Sequence, residues 1–271
     1  MTKVVNNIQP SLFPLCDTMT VYEQPLNERI RNFLRLETLF ESIRDAMQRE
    51  QTCDARNAIV GMIELADQLT RIDIKGELIK EIERHATTLN NLRMNPGVNQ
   101  STLEQTVTRL EPIIAILKSN SCQPGARLRQ CDLLTQVKQR LAIPGGTCSF
   151  DIPAFHYWLH RSPAQRSEHL QDWIQDMRII EDAVHTVLKL VRESASPKKV
   201  MAEGGFFQQT LDANGSCQLI RVIVPDTEGI FPEISGGKHR FSIRFIRPSG
   251  INTRPQPAQR SVWFELHCCT L

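Results

Sequence analysis

The chain lacks any run of about 18 consecutive apolar residues, the length with which an α-helix crosses a bilayer. Its first twenty residues contain one basic side chain, Lys3, and Pro10 and Pro14 interrupt their apolar patches, so no secretory signal peptide is predicted. The eight cysteines include no Cys-x-x-Cys pair, which is typical of free thiols in a reducing compartment. We therefore expect a cytoplasmic protein that does not enter the membrane.

Motifs of common enzyme classes are also missing, including G-x-S-x-G and G-x-G-x-x-G. Residues 235–239 resemble the end of a phosphate-binding loop, but Pro232 occupies the position of its upstream glycine. His239 also stands where that loop has the Ser or Thr that binds magnesium. We therefore predict a protein without catalytic activity and without a cofactor.

Two histidines have the spacing of a zinc-binding helix, because His156 and His160 would lie on one helical face. A catalytic zinc helix of this type also has a glutamate beside the first histidine, whereas Tyr157 stands there. A structural histidine pair at the start of a helix is the preferred interpretation, and we predict no metal site. A zinc-dependent hydrolase is the alternative, which metal analysis of the purified protein would test.

The composition is that of a folded globular protein, with 41% hydrophobic residues, 23% charged residues and a net charge of +2. This near-neutral total argues against bulk nucleic-acid binding, but the charge is unevenly distributed. Residues 198–271 contain nine Lys and Arg against six Asp and Glu, whereas residues 1–197 contain 23 against 24. The basic excess therefore lies in the carboxy-terminal part.

Residues 26–195 have the periodicity of amphipathic helices, with apolar side chains three and four positions apart. The spacing predicts a first helix from Leu26, further helices up to Leu117, one over residues 128–141 and a long one over residues 162–193. Capping boxes are predicted at Ser162 with Gln165 and at Ser101 with Glu104.

From residue 204 the period of the apolar side chains changes to two, which is typical of β-strands. Strands are predicted over residues 218–224, 240–246 and 262–268. Their apolar face indicates a small antiparallel sheet that packs on the helices or on a second copy of the chain. The predicted fold class is α+β, with three parts: a flexible extension over residues 1–21, a helical domain over residues 22–197 and a β domain over residues 198–271.

The same strand parity, and so the same side of the predicted sheet, is shared by three basic residues: Lys238, Arg240 and Arg244. We expect Arg221 to join them from a neighbouring strand, and no acidic residue occurs between Glu233 and Glu265 to neutralise them. Such a cluster favours a carboxylate or phosphate partner. A solvated face whose arginines pair with Glu265 and with helix carboxylates is an equally good interpretation.

A nucleic-acid-binding module is the alternative function from another class. It would use the same arginines on phosphates, with Trp263 and His267 as stacking groups. Composition disfavours it, because only 6% of the residues are aromatic and the net charge is small.

A series of short segments, found in one order along the chain, points to a known family. They are residues 25–28, 35–37, 96–101, 158–160, 234–236, 240–241 and 243–245, and the long block 139–151, which reads Gln-Arg-Leu-Ala-Ile-Pro-Gly-Gly-Thr-Cys-Ser-Phe-Asp. Over residues 22–269 the chain resembles the ZapD family of Z-ring-associated cell division proteins. The agreement of many segments makes this resemblance far more specific than any single motif.

The resemblance implies a helical domain followed by a β domain, a symmetric homodimer and no catalytic activity, in the cytoplasm at the midcell division site. It implies binding to the carboxy-terminal tail of the tubulin-like GTPase FtsZ, and cross-linking of FtsZ protofilaments into bundles. That tail is a short acidic and apolar peptide, which a basic face would hold by charge-assisted hydrogen bonds. A symmetric dimer presents the site twice, so weak single contacts would become filament bridges through avidity.

The resemblance also implies that the tail is contacted by Arg35, Arg71, His156, Lys238, Arg240 and Arg244. The strand pattern adds Arg221 to this set. We expect the cluster on the sheet to be the primary contact. One position departs from the family pattern, because Asp132 stands where the family has a basic residue. A further hypothesis is that residues 151–155, Asp-Ile-Pro-Ala-Phe, mimic the core of the FtsZ tail and compete with it.

Overall fold

The computed structural model describes residues 19–94, 99–211, 217–226, 229–237, 239–250 and 253–270. The chain divides into two compact units. The helical unit is Asn27–Ser194, and the β unit combines Ala195–Thr270 with the segment that ends at Leu26. Residues 1–18 of the predicted extension lie outside the described residues.

The helical unit confirms the predicted helical amino-terminal part of the fold. Its helices are α1 Glu28–Met47, α2 Thr52–Arg71, α3 Ile74–Asn91, α4 Gln100–Lys118, α5 Ala126–Gln130, α6 Asp132–Arg140, α7 Pro153–Leu159, α8 Pro163–Ile174 and α9 Arg178–Glu193. Helix α1 packs against α2, and α9 packs against α1, α3 and α4. Since the apolar stripes predicted from periodicity face these neighbours, residues such as Phe33, Met62 and Leu188 are fully buried.

Two of the predicted helices are interrupted. The one over residues 128–141 is divided at Cys131, whose backbone is extended (φ −88°, ψ 111°), into α5 and α6. The long helix from residue 162 contains a 3-10 turn at Gln175–Met177, which separates α8 from α9. Apolar periodicity continues across both breaks, so the sequence pattern does not reveal them.

Of the two predicted capping boxes, one is confirmed and one is wrong. The capping box of Ser162 and Gln165 at the start of α8 is confirmed, with both reciprocal hydrogen bonds present. Helix α4 begins one residue before Ser101, because the side chain of Asn99 accepts a hydrogen bond of 3.2 Å from the Thr102 amide. Asn99 is therefore the N-cap and Ser101 is not.

The β unit contains two antiparallel sheets. Its strands are β1 Met19–Pro25, β2 Lys198–Ala202, β3 Phe206–Thr210, β4 Leu219–Pro225, β5 Phe231–Gly236, β6 Arg240–Arg247, β7 Gln256–Pro257 and β8 Val262–Cys269. The first sheet has the order β1-β4-β8-β2. The second has the order β3-β6-β5, and β7 also pairs with β6. The predicted strands correspond to β4, β6 and β8.

The two sheets pack face to face as a β-sandwich. One core contains the inward residues of β4, β6 and β8, and Phe264 of the first sheet lies 5.2 Å from Phe245 and 5.5 Å from Phe207 of the second, between ring centroids. The α+β class is confirmed, but the prediction of a single small sheet is wrong. The apolar face packs on a second sheet of the same unit.

The turn between β2 and β3 carries the chain from one sheet to the other. Its two residues, Gly204 and Gly205, both have positive φ (55° and 76°), which favours glycine. A Cβ atom on Gly205 would lie 2.2 Å from the carbonyl oxygen of Ala258. The carbonyl oxygen of Gly205 accepts a hydrogen bond of 2.8 Å from the Phe245 amide, and this bond fixes the start of β3 beside β6.

Candidate functional site

The outer face of the second sheet carries the predicted basic cluster. Because side chains alternate along β6, Phe241, Ile243 and Phe245 are buried in the sandwich, at most 1% exposed, whereas Arg240, Ser242 and Arg244 point outward. Strand β3 and strand β5 flank them on either side. We call this surface the arginine face, and it comprises Phe206, Gln208 and Thr210 of β3, Glu233 and Ser235 of β5, and Arg240, Ser242 and Arg244 of β6.

The two arginines of this face are exposed and separated along the strand. Four residues of antiparallel strand place the Cα atoms of Arg240 and Arg244 about 13 Å apart. Neither guanidinium makes an ion pair with any residue that the structure describes. Lys238, the third member of the predicted cluster, lies outside the described residues. The face therefore offers two arginines whose charge is available to a partner.

A shallow groove of about 500 Å³ lies at the Arg240 end of the arginine face. It is lined by Gln208, Ser235, Gly236, Gly237, His239, Arg240, Phe241 and Ser242. A Cβ atom on Gly236 would lie 2.4 Å from Cδ2 of Leu26, so a larger residue there would displace the end of that side chain. The groove lining is mainly polar and uncharged, with Arg240 and His239 as its basic groups, which suits an anionic ligand.

Arg244 has two neighbours on the arginine face that sequence reasoning missed. In the strand register it lies between Phe206 of β3 and Glu233 of β5. Phe206 is 45% exposed, so the face offers an apolar contact beside the arginine. Glu233 bounds the acid-free stretch of sequence, and the β5–β6 hairpin brings it back beside Arg244, a neighbour that the sequence analysis did not name. The glycine pair before Phe206 was the sequence signal for a strand there.

Arg221 does not join the other arginines, which corrects its predicted placement. It lies on β4 in the first sheet, whereas Arg240 and Arg244 lie on β6 in the second. Its Nε donates a hydrogen bond of 2.8 Å to Oε1 of Glu23 on β1, and both side chains are about one-fifth exposed. Local alternation shows which side of a strand a residue faces, but not which strand lies beside it.

The nucleic-acid-binding alternative requires its stacking groups and its arginines on one face, but they belong to different sheets. The proposed stacking groups, Trp263 and His267, lie on β8 in the first sheet, where Lys199 lies over the Trp263 ring. They point to the opposite outer face of the sandwich from Arg240 and Arg244. Glu265 also belongs to this sheet and contacts His267 at 2.6 Å, so it does not pair with the arginines of β6.

The predicted basic residues of the helical unit are exposed but do not all converge. Arg35 lies on α1, Arg71 at the end of α2 and His156 on α7. Helix α7 packs near the start of α2, where the Phe155 ring lies 5.5 Å from Cζ of Arg56. Arg71 is fifteen residues further along α2, a distance of about 22 Å. The structure therefore keeps Arg71 and His156 apart.

Asp132, predicted to depart from the family pattern, lies at the start of a helix. It is the first residue of α6 and the acidic residue of its first turn. A carboxylate at this position is stabilised by the partial positive charge of the helix amino terminus.

The histidine pair forms a local contact. The rings of His156 and His160 lie 4.4 Å apart, and His160 Nδ1 lies 2.8 Å from the His156 carbonyl oxygen. His160 is the C-cap residue of α7, so the pair closes this short helix. No cluster of three or more His, Cys, Asp or Glu side chains that could hold a metal ion occurs in the described part of the chain.

The segment that resembles the FtsZ tail is part of the helical core. Ile152 is 2% exposed and Phe155 is fully buried, and Pro153 begins α7. Phe155 stacks on Trp158, with ring centroids 6.0 Å apart. These side chains belong to the folded core of their own chain, and competition with the FtsZ tail stays a hypothesis.

Comparisons with known proteins identify the family. The sequence profile of ZapD, described as a cell division protein, matches residues 34–244. The chain belongs to the ZapD family. It is 39% identical over 253 residues to the cell division protein ZapD of Dechloromonas aromatica (strain RCB), covering 93% of this chain and 100% of the relative.

Two further ZapD relatives have similar coverage. The protein of Azoarcus sp. (strain BH72) is 37% identical over 253 residues, covering 93% of this chain and 100% of the relative. That of Methylococcus capsulatus is 38% identical over 252 residues, covering 93% of this chain and 98% of the relative. These relatives are named as cell division proteins and not as enzymes, so membership supports a role in cell division. No helix in the described ranges is long and apolar enough to cross a bilayer.

Proposed function

We propose that this chain binds the carboxy-terminal tail of FtsZ on its arginine face and cross-links FtsZ protofilaments into bundles as a homodimer. The observation that carries the proposal is the exposed pair Arg240 and Arg244, which lacks ion-pair partners in the described residues and is flanked by exposed Phe206. In this role the protein acts without catalysis, in the cytoplasm at the midcell division site.

The chemistry of the arginine face matches an acidic and apolar peptide. Guanidinium groups form charge-assisted and often bidentate hydrogen bonds with carboxylates, which are stronger than neutral hydrogen bonds. Phe206 supplies a ring for an apolar side chain directly beside Arg244. An extended peptide that lies along β6 repeats its side chains on one face about every 6.8 Å, so acidic groups four residues apart would meet both arginines.

The remaining predicted site residues have supporting roles in this proposal. Lys238, two residues before Arg240 in the sequence, would add a further positive charge. The helical residues Arg35, Arg71 and His156 add separate basic positions, each of which would make a secondary contact with the tail or the filament body. Arg221 acts through Glu23, which it holds by an ion pair, and so has the weakest role of the set.

Bundling follows from a second copy of the site. A monomer with one tail site would decorate a filament, whereas a symmetric homodimer holds two tails that belong to different filaments. Because many tails project from each filament, dimers bound side by side act together, and modest single-site affinity is sufficient for a stable bundle. We therefore propose that the dimer is the active form.

The proposal is tested by binding of a fluorescent FtsZ tail peptide to the full chain, measured by fluorescence anisotropy. A second peptide with every Asp and Glu replaced by Asn and Gln serves as the control, because it keeps length and apolar content. We expect the neutral peptide to bind at least tenfold more weakly than the natural one. Equal binding of both peptides, or binding of neither, would contradict a charged tail contact.

A further inference from the structure

Two cysteines of the first sheet lie together at one end of the sandwich. Strand β8 ends where β4 begins, since Cys269 pairs with Leu219 and Cys268 pairs with Ile220. The Gln218 amide donates a hydrogen bond of 2.7 Å to the Cys269 carbonyl oxygen, which holds Cys217 beside the end of β8. Both Cys217 and Cys268 are partly buried against the sandwich core, and both are free thiols.

The two thiols are in different electrostatic states. The Cys217 thiol donates a hydrogen bond of 3.7 Å to the Leu219 carbonyl oxygen, and its interaction with Cys268 together with burial raises the pKa of Cys217. The interaction with Cys217 lowers the pKa of Cys268 to about 7, with burial acting against it and the charge of Lys198 assisting it. Since the thiolate is the nucleophile, Cys268 is the more reactive member of the pair.

We propose that Cys217 and Cys268 are a peroxide-sensitive dithiol, in which Cys268 is the attacking cysteine and Cys217 the resolving one. The substrate class is a small hydroperoxide such as hydrogen peroxide, which fits the partly buried position of both sulfurs. The proposal is independent of tail binding, because the pair lies at the end of the first sheet and the arginine face belongs to the second.

The chemistry balances within this pair. The Cys268 thiolate attacks one peroxide oxygen, the O–O bond breaks, and the leaving hydroxide takes a proton and departs as water, which leaves a sulfenic acid on Cys268. The Cys217 sulfur then attacks the Cys268 sulfur, an S–S bond forms, and the hydroxide and the Cys217 proton leave as a second water. Two thiols are oxidised by two electrons and one peroxide is reduced to two waters.

Peptide mapping of the oxidised full chain tests the pair directly. The reduced protein is treated with one equivalent of hydrogen peroxide, alkylated, digested with trypsin without reduction and examined by mass spectrometry. Cleavage after Lys199, Arg221 and Arg260 places Cys217 in one peptide and Cys268 with Cys269 in another, and fragmentation between the two adjacent cysteines assigns the bond.

We expect a Cys217–Cys268 bond as the main product, at least tenfold above any other pairing. In Cys217→Ser the sulfenic acid should persist on Cys268 and be trapped by dimedone, whereas Cys268→Ser should form no linkage to Cys217. The more exposed Cys53 and Cys148 serve as internal controls for simple accessibility. Earlier oxidation of those two, a vicinal Cys268–Cys269 bond or a Cys217–Cys269 bond in the natural chain would each overturn the proposal.

Discussion

Glu233 lies directly opposite Arg244 across the β5–β6 strand pair, on the outer side of the second sheet. Side chains in such cross-strand positions have Cβ atoms about 5 Å apart, yet these two form no ion pair in the described contacts. Glu233 therefore lowers the positive potential at Arg244 without occupying its guanidinium. An acidic ligand would bind Arg244 against this repulsion.

Removal of the Glu233 charge should strengthen tail binding. We expect Glu233→Gln to increase affinity for the tail peptide by roughly two- to fivefold, which corresponds to less than about 1 kcal/mol between exposed charges. The control is Glu104→Gln, which removes an exposed charge from α4 of the helical unit. Titration of both variants with the tail peptide by fluorescence anisotropy measures the effect. A lower affinity of Glu233→Gln than of the natural chain would place the tail away from the arginine face.

Charge reversal of the arginines should have the opposite and larger effect. Arg240→Asp and Arg244→Asp are each expected to weaken tail binding more than tenfold, because each replaces an attraction with a repulsion at the proposed contact. Arg109→Asp makes the same charge change on exposed α4 and should alter affinity less than twofold. Circular dichroism should give unchanged helical content, and full binding by both sheet variants would contradict the assignment of the arginine face.

Ionic strength should weaken the interaction. Exposed charges are screened over a Debye length that falls from about 10 Å at 0.1 M salt to about 3 Å at 1 M. We expect the affinity of the unchanged chain for the tail peptide to decrease steadily over this range, and that of Arg240→Asp to decrease less. A salt-independent affinity would indicate that an apolar groove, and not the arginines, holds the tail.

A buried carboxylate in the helical unit should control stability at low pH. Glu81 has a fully buried side chain and contacts Arg29 at 2.5 Å, Arg84, and His85 at 3.4 Å. Burial raises the pKa of Glu81, but the neighbouring His85 and Arg84 side chains lower it by more, so its pKa in the folded chain lies well below the usual value. Stabilisation by Glu81 is therefore present at neutral pH.

Glu81→Gln should reduce the free energy of unfolding at pH 7 by roughly 2 to 4 kcal/mol, because it leaves Arg29 and Arg84 with a neutral partner at a buried position. The unfolded chain takes up the proton first as pH falls below about 4.3, so the difference from the natural chain should narrow below that pH. Glu83→Gln breaks an exposed pair with Lys118 and should cost less than about 1 kcal/mol. Urea unfolding between pH 3 and pH 7 would contradict this account if the two variants behaved alike.

The parts of the fold that local pattern determines were predictable. Strict alternation defined β4, β6 and β8 almost to the residue, and the capping box at Ser162 marked the start of α8. Both signals depend on neighbouring residues only. The exposed position of Arg240 and Arg244 follows from the same alternation, so these members of the candidate site were available from the sequence.

The features of the fold that the sequence did not predict depend on pairing between distant segments. Strand β1 pairs with β4, about 200 residues later in the chain, and β5 is an edge strand that contains Pro232. Neither has a local signal strong enough to predict it. The same limit caused the wrong neighbours for Arg221, because parity does not assign a strand to a sheet. It also hid Glu233, which only the β5–β6 register brings to Arg244.

The measurement that tests the central claim most directly is sedimentation of polymerised FtsZ with the full chain. Full-length FtsZ is compared with FtsZ that lacks its carboxy-terminal tail, and Arg240→Asp serves as the binding-deficient control. We expect the chain to pellet with full-length filaments and bundle them, and to remain in the supernatant with tailless filaments. Equal pelleting with both forms of FtsZ would place the contact on the filament body and contradict the account.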